Sequence, residues 1–189
     1  VRVTKGCYSD YIRPLEANAT GIMVPHLMSA AEARQVVRMT KFHPVGRRPV
    51  DGGNTDGAFC LLSPEEYMAA ANRERFVICQ IEDPEPMEQV DEIAAIDGID
   101  MLFFGPGDFS HGIGKPGQYG APEVVAARRR MVEACRRHGR LAGTVASVAT
   151  VPQLLDEGFL FLNVGSDVGL LGKGFGEIHE ALKPFGIEG

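Results

Sequence analysis

Two carboxylates stand at the ends of two apolar runs. Phe76-Val77-Ile78-Cys79-Gln80-Ile81 ends at Glu82, and Met101-Leu102-Phe103-Phe104-Gly105 leads to Asp108. Near-continuous apolar runs are what parallel strands buried on both faces require. In an α/β barrel, functional side chains sit at the C-terminal ends of such strands. Glu82 and Asp108 are therefore read as two oxygen ligands facing one pocket, and an all-oxygen site favours a hard divalent cation. Either carboxylate alone has an ordinary alternative as a helix N-cap or a solvated loop residue. Their repetition at successive strand ends, each beside Gly or Pro, is what joins them into one site. Asp83 is free to cap a helix starting near Pro84, which leaves Glu82 for the pocket. Gln80 lies on the same side of its strand as Glu82. It is polar inside an apolar run and needs a partner when buried.

Other residues could join this chemistry. Arg2 interrupts the strand-like Val1–Val3, and its planar guanidinium suits a substrate carboxylate. A surface arginine is the equal alternative. His26 directly follows Ile22–Pro25, the position where a barrel places site residues, and is expected in the pocket. His43, His111, His138 and His179 are read as surface residues. An imine mechanism wants a lysine desolvated in a pocket. Lys5, Lys41, Lys115, Lys173 and Lys183 all fall in loops or at element ends, which favours a metal over a Schiff base. Gly112–Gly117 matches GxGxxG, but Pro116 and Gln118-Tyr119-Gly120 make it a loop rather than the strand-to-helix turn a dinucleotide needs.

The elements that must position these groups alternate. Strand-like runs are Val1–Val3, Ile22–Pro25, Phe76–Ile81, Met101–Gly105, Leu141–Ala146 and Leu160–Gly165. Ser29 with Glu32 is a capping box opening a helix to about Met39, and Ser63-Pro64 with Glu66 opens another to about Asn72. Helical spacing covers Pro86–Ile96 and Pro122–His138, the latter followed by Gly139 as its C′ residue, and a short helix covers Pro152–Glu157. This alternation indicates a parallel α/β protein. Gly46–Phe59 is polar and rich in Gly, Asp and Asn. It is expected to be a long loop, either functional or disordered.

The 189 residues suit a single domain, 1–189, with a sizeable core. A net charge of −6 argues against nucleic-acid partners. Arg128-Arg129-Arg130 and Arg136-Arg137 share a helical pattern with Glu133 and read as a solvated face. No apolar stretch approaches the roughly 20 residues that span a bilayer. Cys7, Cys60, Cys79 and Cys135 are scattered without a CxxC pair, so a reducing cytoplasm is expected rather than a disulfide or zinc scaffold.

Taken in order, Arg2-Val3, Gly21-Ile22-Met23-Val24-Pro25, Gln80-Ile81-Glu82, Gly98-Ile99-Asp100, Gly105-Pro106-Gly107-Asp108-Phe109-Ser110 and Val164-Gly165-Ser166-Asp167-Val168-Gly169-Leu170-Leu171 resemble the HpcH/HpaI aldolase family, the class II pyruvate aldolases. The resemblance implies a (β/α)8 TIM barrel of the phosphoenolpyruvate/pyruvate type. It implies a divalent cation (Mg, Mn or Co) on Glu82 and Asp108, with Arg2 and Gln80 at the 2-oxo acid. The backbone around Gly107 and Asp108 would receive the pyruvate carboxylate, and Val145 would be an apolar pocket residue. Glu16 falls where the family carries a catalytic Asp. The implied reaction is aldol cleavage and condensation of a 4-hydroxy-2-oxo acid to pyruvate and an aldehyde through a metal-stabilised enolate. Its partners would be the small-molecule 2-oxo acid and the aldehyde. Homo-oligomers are implied as well, hexamers of helix-exchanged dimers.

Three departures stand beside this resemblance. The chain starts at what corresponds to the family's third strand, so it is expected to lack the first two βα units and the family's catalytic His. His is unusual at position 26, and the Gly46–Phe59 loop differs; both bear on the aldehyde. The alternatives are a 2-oxo-dicarboxylate (oxaloacetate-type) decarboxylase or a citryl- or malyl-CoA lyase-like enzyme. From another class, the alternative is a non-catalytic subunit or inactive remnant.

Overall fold

The computed structural model describes residues 1–186. Five parallel strands form one sheet in sequential order: β1 (Gly21–Val24), β2 (Phe76–Ile81), β3 (Met101–Phe104), β4 (Leu141–Ala146) and β5 (Phe161–Val164). The helices are α1 (Tyr8–Glu16), α2 (Ala30–Thr40), α3 (Pro64–Glu74), α4 (Val90–Ala94), α5 (Pro106–Gly112), α6 (Pro122–Arg137), α7 (Val151–Glu157) and α8 (Asp167–Leu182). The protein is thus a parallel α/β fold whose sheet curls as part of a barrel does.

Period-two alternation explains the two faces. Val77, Cys79 and Ile81 point into the main core, where they meet Leu102, Phe104, Val36 and Met131. Ile78 points the other way and packs with Met101, Phe103 and Met23. Gln80 follows Ile78 by one period and therefore belongs to this concave face. The register pairs Ile81 with Phe104, which levels the C-terminal ends of β2 and β3, and Val24 with Cys79, so β1 ends two residues earlier.

Most start and stop signals act as expected. Ser63 and Glu66 close a reciprocal box at 3.3 and 3.0 Å. Ser29 accepts from the Glu32 N–H, but the Glu32 carboxylate reaches back to the N–H of Met28 rather than of Ser29. Gly139 and Gly158 take φ of 66° and 105°, the left-handed turn that ends a helix.

Six segments differ from expectation. Val1–Val3 forms a single parallel bridge, Arg2 opposite Met23, because three residues reach only the bonds Val3 N–H to Met23 O and Met23 N–H to Val1 O. Pro86–Ile96 splits into a 3₁₀ turn, Glu85–Gln89, and the short α4. Pro84 and Pro86 offer no N–H, so the first turn closes through Met87 N–H to Pro84 O. The helices α1, α5 and α8 stand beyond those read from the sequence, although Tyr8, Tyr11, Ile12 and Leu15 of α1 do follow helical spacing. The Gly46–Phe59 loop is anchored rather than free. Arg48 in it is buried against Asp56 at 2.6 Å and Tyr67 at 3.0 Å, with its guanidinium over the Phe42 ring.

Lys41 is buried too, held by the Arg75 carbonyl and by Asp100 at 3.4 Å. Both partners precede strands, so this lysine serves the N-terminal end of the sheet, away from Glu82. Among the described residues no helix is long and apolar enough to cross a membrane. The helix α8 buries none of its residues and exposes Val168, Leu170, Leu171, Phe175 and Ile178.

Candidate active site

Glu82 is the first residue beyond β2, and its side chain is only 1% exposed. Its two oxygens are held by different elements. Oε1 accepts the backbone N–H of His26 at 2.9 Å. Oε2 accepts from Nε2 of Gln80. Gln80 in turn accepts at Oε1 from Nε of Arg2 at 3.1 Å. The expected partner of buried Gln80 is therefore present on both ends of its amide. Arg2 Nη2 stands 3.7 Å from Glu82 Oε1, on a side chain that is 55% exposed.

His26 lies just past β1 in the left-handed region, with φ of 48°. Its Nδ1 is 3.0 Å from Asp83 Oδ2, and its Nε2 is 3.7 Å from Glu82 Oε1. Asp83 is therefore a partner of His26 and makes no side-chain cap to the turn that follows it. Asp108, exposed in the first turn of α5, completes the group. Ligand-capable atoms of His26, Glu82 and Asp108 all lie within 4.8 Å of one another.

Charge is unbalanced here. Burial pushes the Glu82 carboxyl above the usual range, the nearby Asp108 adds to this, and the His26 N–H and the charges of His26 and Arg2 oppose it. The His26 imidazole is raised chiefly by its bond to Asp83, and the Glu82 and Asp108 charges add to this against burial. A buried carboxylate beside a second carboxylate is the setting a cation relieves. The donor set of two carboxylates and one imidazole fits a divalent ion.

Gly105 lets these groups approach. A Cβ there would stand 2.6 Å from Glu82 Cβ and 2.7 Å from its Oε2. A cavity of about 600 Å³ opens beside the carboxylates, lined among others by Gln80, Glu82, Gly107, Asp108, Val145 and Arg128. A second, of about 500 Å³, lies on the concave face between Arg2, Gln80, Phe103, Val145 and Phe161. Gln80, Phe103 and Val145 border both.

The structure thus brings together Arg2, His26, Gln80, Glu82 and Asp108, with Gly107 and Val145 on the cavity wall. It does not bring Glu16 to them. Glu16 pairs with Arg13 at 3.1 Å and lines a separate crevice with Gly53, Asn54 and Phe59. Sequence reasoning missed Asp83 as the partner of His26, and Tyr119 and Arg128 on the far cavity wall. The pairing of Val24 with Cys79 puts position 26 level with the end of β2, a signal that exists only once the register is known.

Residues 1–173 match the HpcH/HpaI aldolase/citrate lyase family. The chain is 35% identical over 158 residues to a hydroxypyruvate/pyruvate aldolase of Delftia acidovorans, covering 83% of this chain and 58% of that protein. It is 34% identical over 168 residues to a 2-keto-3-deoxy-L-rhamnonate aldolase of Klebsiella pneumoniae, covering 88% of this chain and 62% of that protein. The HpcH/HpaI aldolase structure from Desulfitobacterium hafniense is similar with a TM-score of 0.88 at 29% identity, covering 97% of this chain and 72% of that one. The chain therefore spans 58% to 62% of the length of these two curated relatives. In sequence over nearly its whole length, and in fold, the chain belongs to the HpcH/HpaI aldolase/citrate lyase family.

Proposed function

We propose that this protein is a divalent-metal-dependent lyase that cleaves a 4-hydroxy-2-oxo acid to pyruvate and an aldehyde, and runs the reverse condensation. The observation that carries this is the convergence of Glu82 and Asp108 beside an open cavity, with Arg2 3.7 Å from Glu82. Aldolases among its relatives support the reaction class.

Glu82 and Asp108 would hold the cation, which is Mg, Mn or Co. Bound there, it would act as a Lewis acid on the 2-oxo group of the substrate. Gln80 fixes the Glu82 carboxylate through Oε2 and leaves the cavity side of the group open. Cleavage of the C3–C4 bond takes the proton from the 4-hydroxyl and frees the aldehyde. The electron pair stays with the three-carbon fragment, and a proton delivered at C3 gives pyruvate. Arg2 places positive charge where that pair delocalises onto oxygen. The backbone at Gly107 and Asp108 would take the pyruvate carboxylate, and Val145 would shape the apolar wall. A side chain at Gly107 would meet nothing within 4 Å, so the backbone there is open to a ligand.

The finer architecture we propose is a TIM barrel, of which the sequential parallel sheet is part. The exposed apolar residues of α8 support a homo-oligomer. The free cysteines Cys7, Cys60, Cys79 and Cys135 support a cytoplasmic setting.

Pyruvate release tests the reading. The purified protein is given oxaloacetate and then a panel of 4-hydroxy-2-oxo acids, with Mg or Mn and again with EDTA. Metal-dependent release from a hydroxy acid is expected. Release from oxaloacetate alone would make it a decarboxylase. A folded protein that binds Mn and releases pyruvate from neither would overturn the proposal.

A further inference from the structure

We propose that His26 is a third protein ligand to the divalent cation, through Nε2, with Asp83 as the carboxylate that orients its ring. This rests on Glu82 and Asp108 holding the cation, as proposed above.

The backbone sets the ring in place. A left-handed φ is unfavourable for a non-glycine residue and persists only where its surroundings over-determine it. Here the His26 N–H is tied to Glu82 Oε1 at 2.9 Å, so the end of β1 turns back over the carboxylate. The imidazole follows. Its Nδ1 faces Asp83 Oδ2 at 3.0 Å, an acceptor, so Nδ1 carries the proton and, in the neutral ring that a metal binds, Nε2 offers its lone pair. A histidine that ligates a metal through one nitrogen commonly donates the other N–H to a carboxylate in this way.

The distance from Nε2 to Glu82 separates a ligand from a hydrogen-bond partner. At 3.7 Å it is too long for a hydrogen bond, and Oε1 already accepts the His26 backbone N–H. Two donors bound at about 2.1 Å to one ion stand about 3–4 Å apart. Asp108 completes a set whose ligand atoms lie within 4.8 Å of one another. His26 is absent from the walls of both cavities, so its ring is turned to the carboxylates rather than into the substrate space.

An imidazole changes which ion the site prefers. Two carboxylates alone suit Mg, whereas an added nitrogen donor favours a first-row transition ion such as Mn, Co or Zn.

Metal binding without turnover tests this. The protein is stripped with chelator and titrated calorimetrically with Mg(II), Mn(II) and Co(II), and the Mn(II) form is examined by pulsed EPR for a directly bound nitrogen. The parent is expected to show nitrogen coupling. His26→Gln should remove that coupling and weaken Co(II) by about tenfold to a hundredfold, with Mg(II) moved by less than about threefold. Asp83→Asn should keep the coupling and weaken Co(II) by about tenfold. Circular dichroism guards against misfolding in variants of this half-exposed side chain. If the parent binds Mn(II) in a manner that Glu82→Gln abolishes, yet shows no nitrogen coupling, the ligand role of His26 is overturned and the carboxylate site stands. If no ion binds, or Glu82→Gln binds as well as the parent, the metal reading fails and His26 with it.

Discussion

The backbone N–H of His26 donates to Oε1 of Glu82 at 2.9 Å and ties the end of β1 to the end of β2. Gln80 holds the other oxygen from within β2, so Glu82 is fixed from two strands before any ligand arrives. A carboxylate oxygen has two lone pairs, and one donor on each leaves the others to face the cavity. Preorganisation of this kind spares the cost of orienting the group at the moment of reaction.

Removing either acid should therefore end the chemistry. Glu82→Gln or Asp108→Asn is expected to lower metal-dependent pyruvate release by about a hundredfold or more, the scale on which one electrostatic group at a reacting centre acts. Steady-state assays on variants with parental circular dichroism check this. Unchanged turnover in both would refute the assignment.

The buried Glu82 carboxyl should also make the stability of the metal-free fold depend on pH. Burial raises the Glu82 carboxyl above its ordinary value, so the folded state binds this proton more tightly than the unfolded chain does. Stability from that proton is fully present below the ordinary glutamate range and is lost as pH rises through the raised value. In EDTA, the parent is expected to lose stability relative to Glu82→Gln as pH rises through the raised Glu82 pKa. Urea midpoints across pH measure it, and a constant difference would contradict the burial argument.

Gly105→Ala isolates the geometry of the site. Its φ of −98° suits any residue, so the backbone tolerates alanine. The new Cβ would stand 2.7 Å from Glu82 Oε2 and 3.2 Å from Gln80 Nε2, and both must shift. Metal affinity is expected to fall about tenfold or more. Calorimetry with Mn(II) is the check, and parental affinity would show that Glu82 can move without loss.

The long loop depends on one buried pair. The side chains of Arg48 and Asp56 are 1% and 0% exposed, and the Tyr67 hydroxyl donates to Asp56 at 2.9 Å. Asp56→Ala leaves a buried guanidinium uncompensated and should cost about 3–5 kcal/mol in urea unfolding. Replacing both charges, Arg48→Met with Asp56→Leu, should cost clearly less. Equal losses in the single and double variants would show that packing rather than charge anchors the loop.

The parallel α/β class was legible because Phe76–Ile81 and Met101–Phe104 are apolar without interruption and Ser63-Pro64 and Gly139 punctuate the helices. Local chemistry writes such signals into adjacent residues. The helix α8 was not legible, because its apolar residues are not buried and so carry no inward-facing pattern. The loop around Arg48 reads from composition as a long polar loop, functional or disordered. Its anchor is a pairing of charges with Tyr67, on α3, which composition does not reveal.

By itself the sequence determined which residues could carry the chemistry: Glu82 and Asp108 after apolar strands, Gln80 one strand period from Glu82, Arg2 inside the strand-like Val1–Val3 and His26 just past a strand. Those assignments rest on alternation and on the end of an apolar run, both local properties. Only the tertiary structure decided which of them meet. The register of β1 on β2 sets His26 against Glu82 and Asp83, and the bridge from Arg2 to Met23 brings Arg2 to Gln80, while Glu16 faces another crevice. Contacts between residues far apart in the chain depend on how strands align and twist, and no short stretch of sequence contains that alignment.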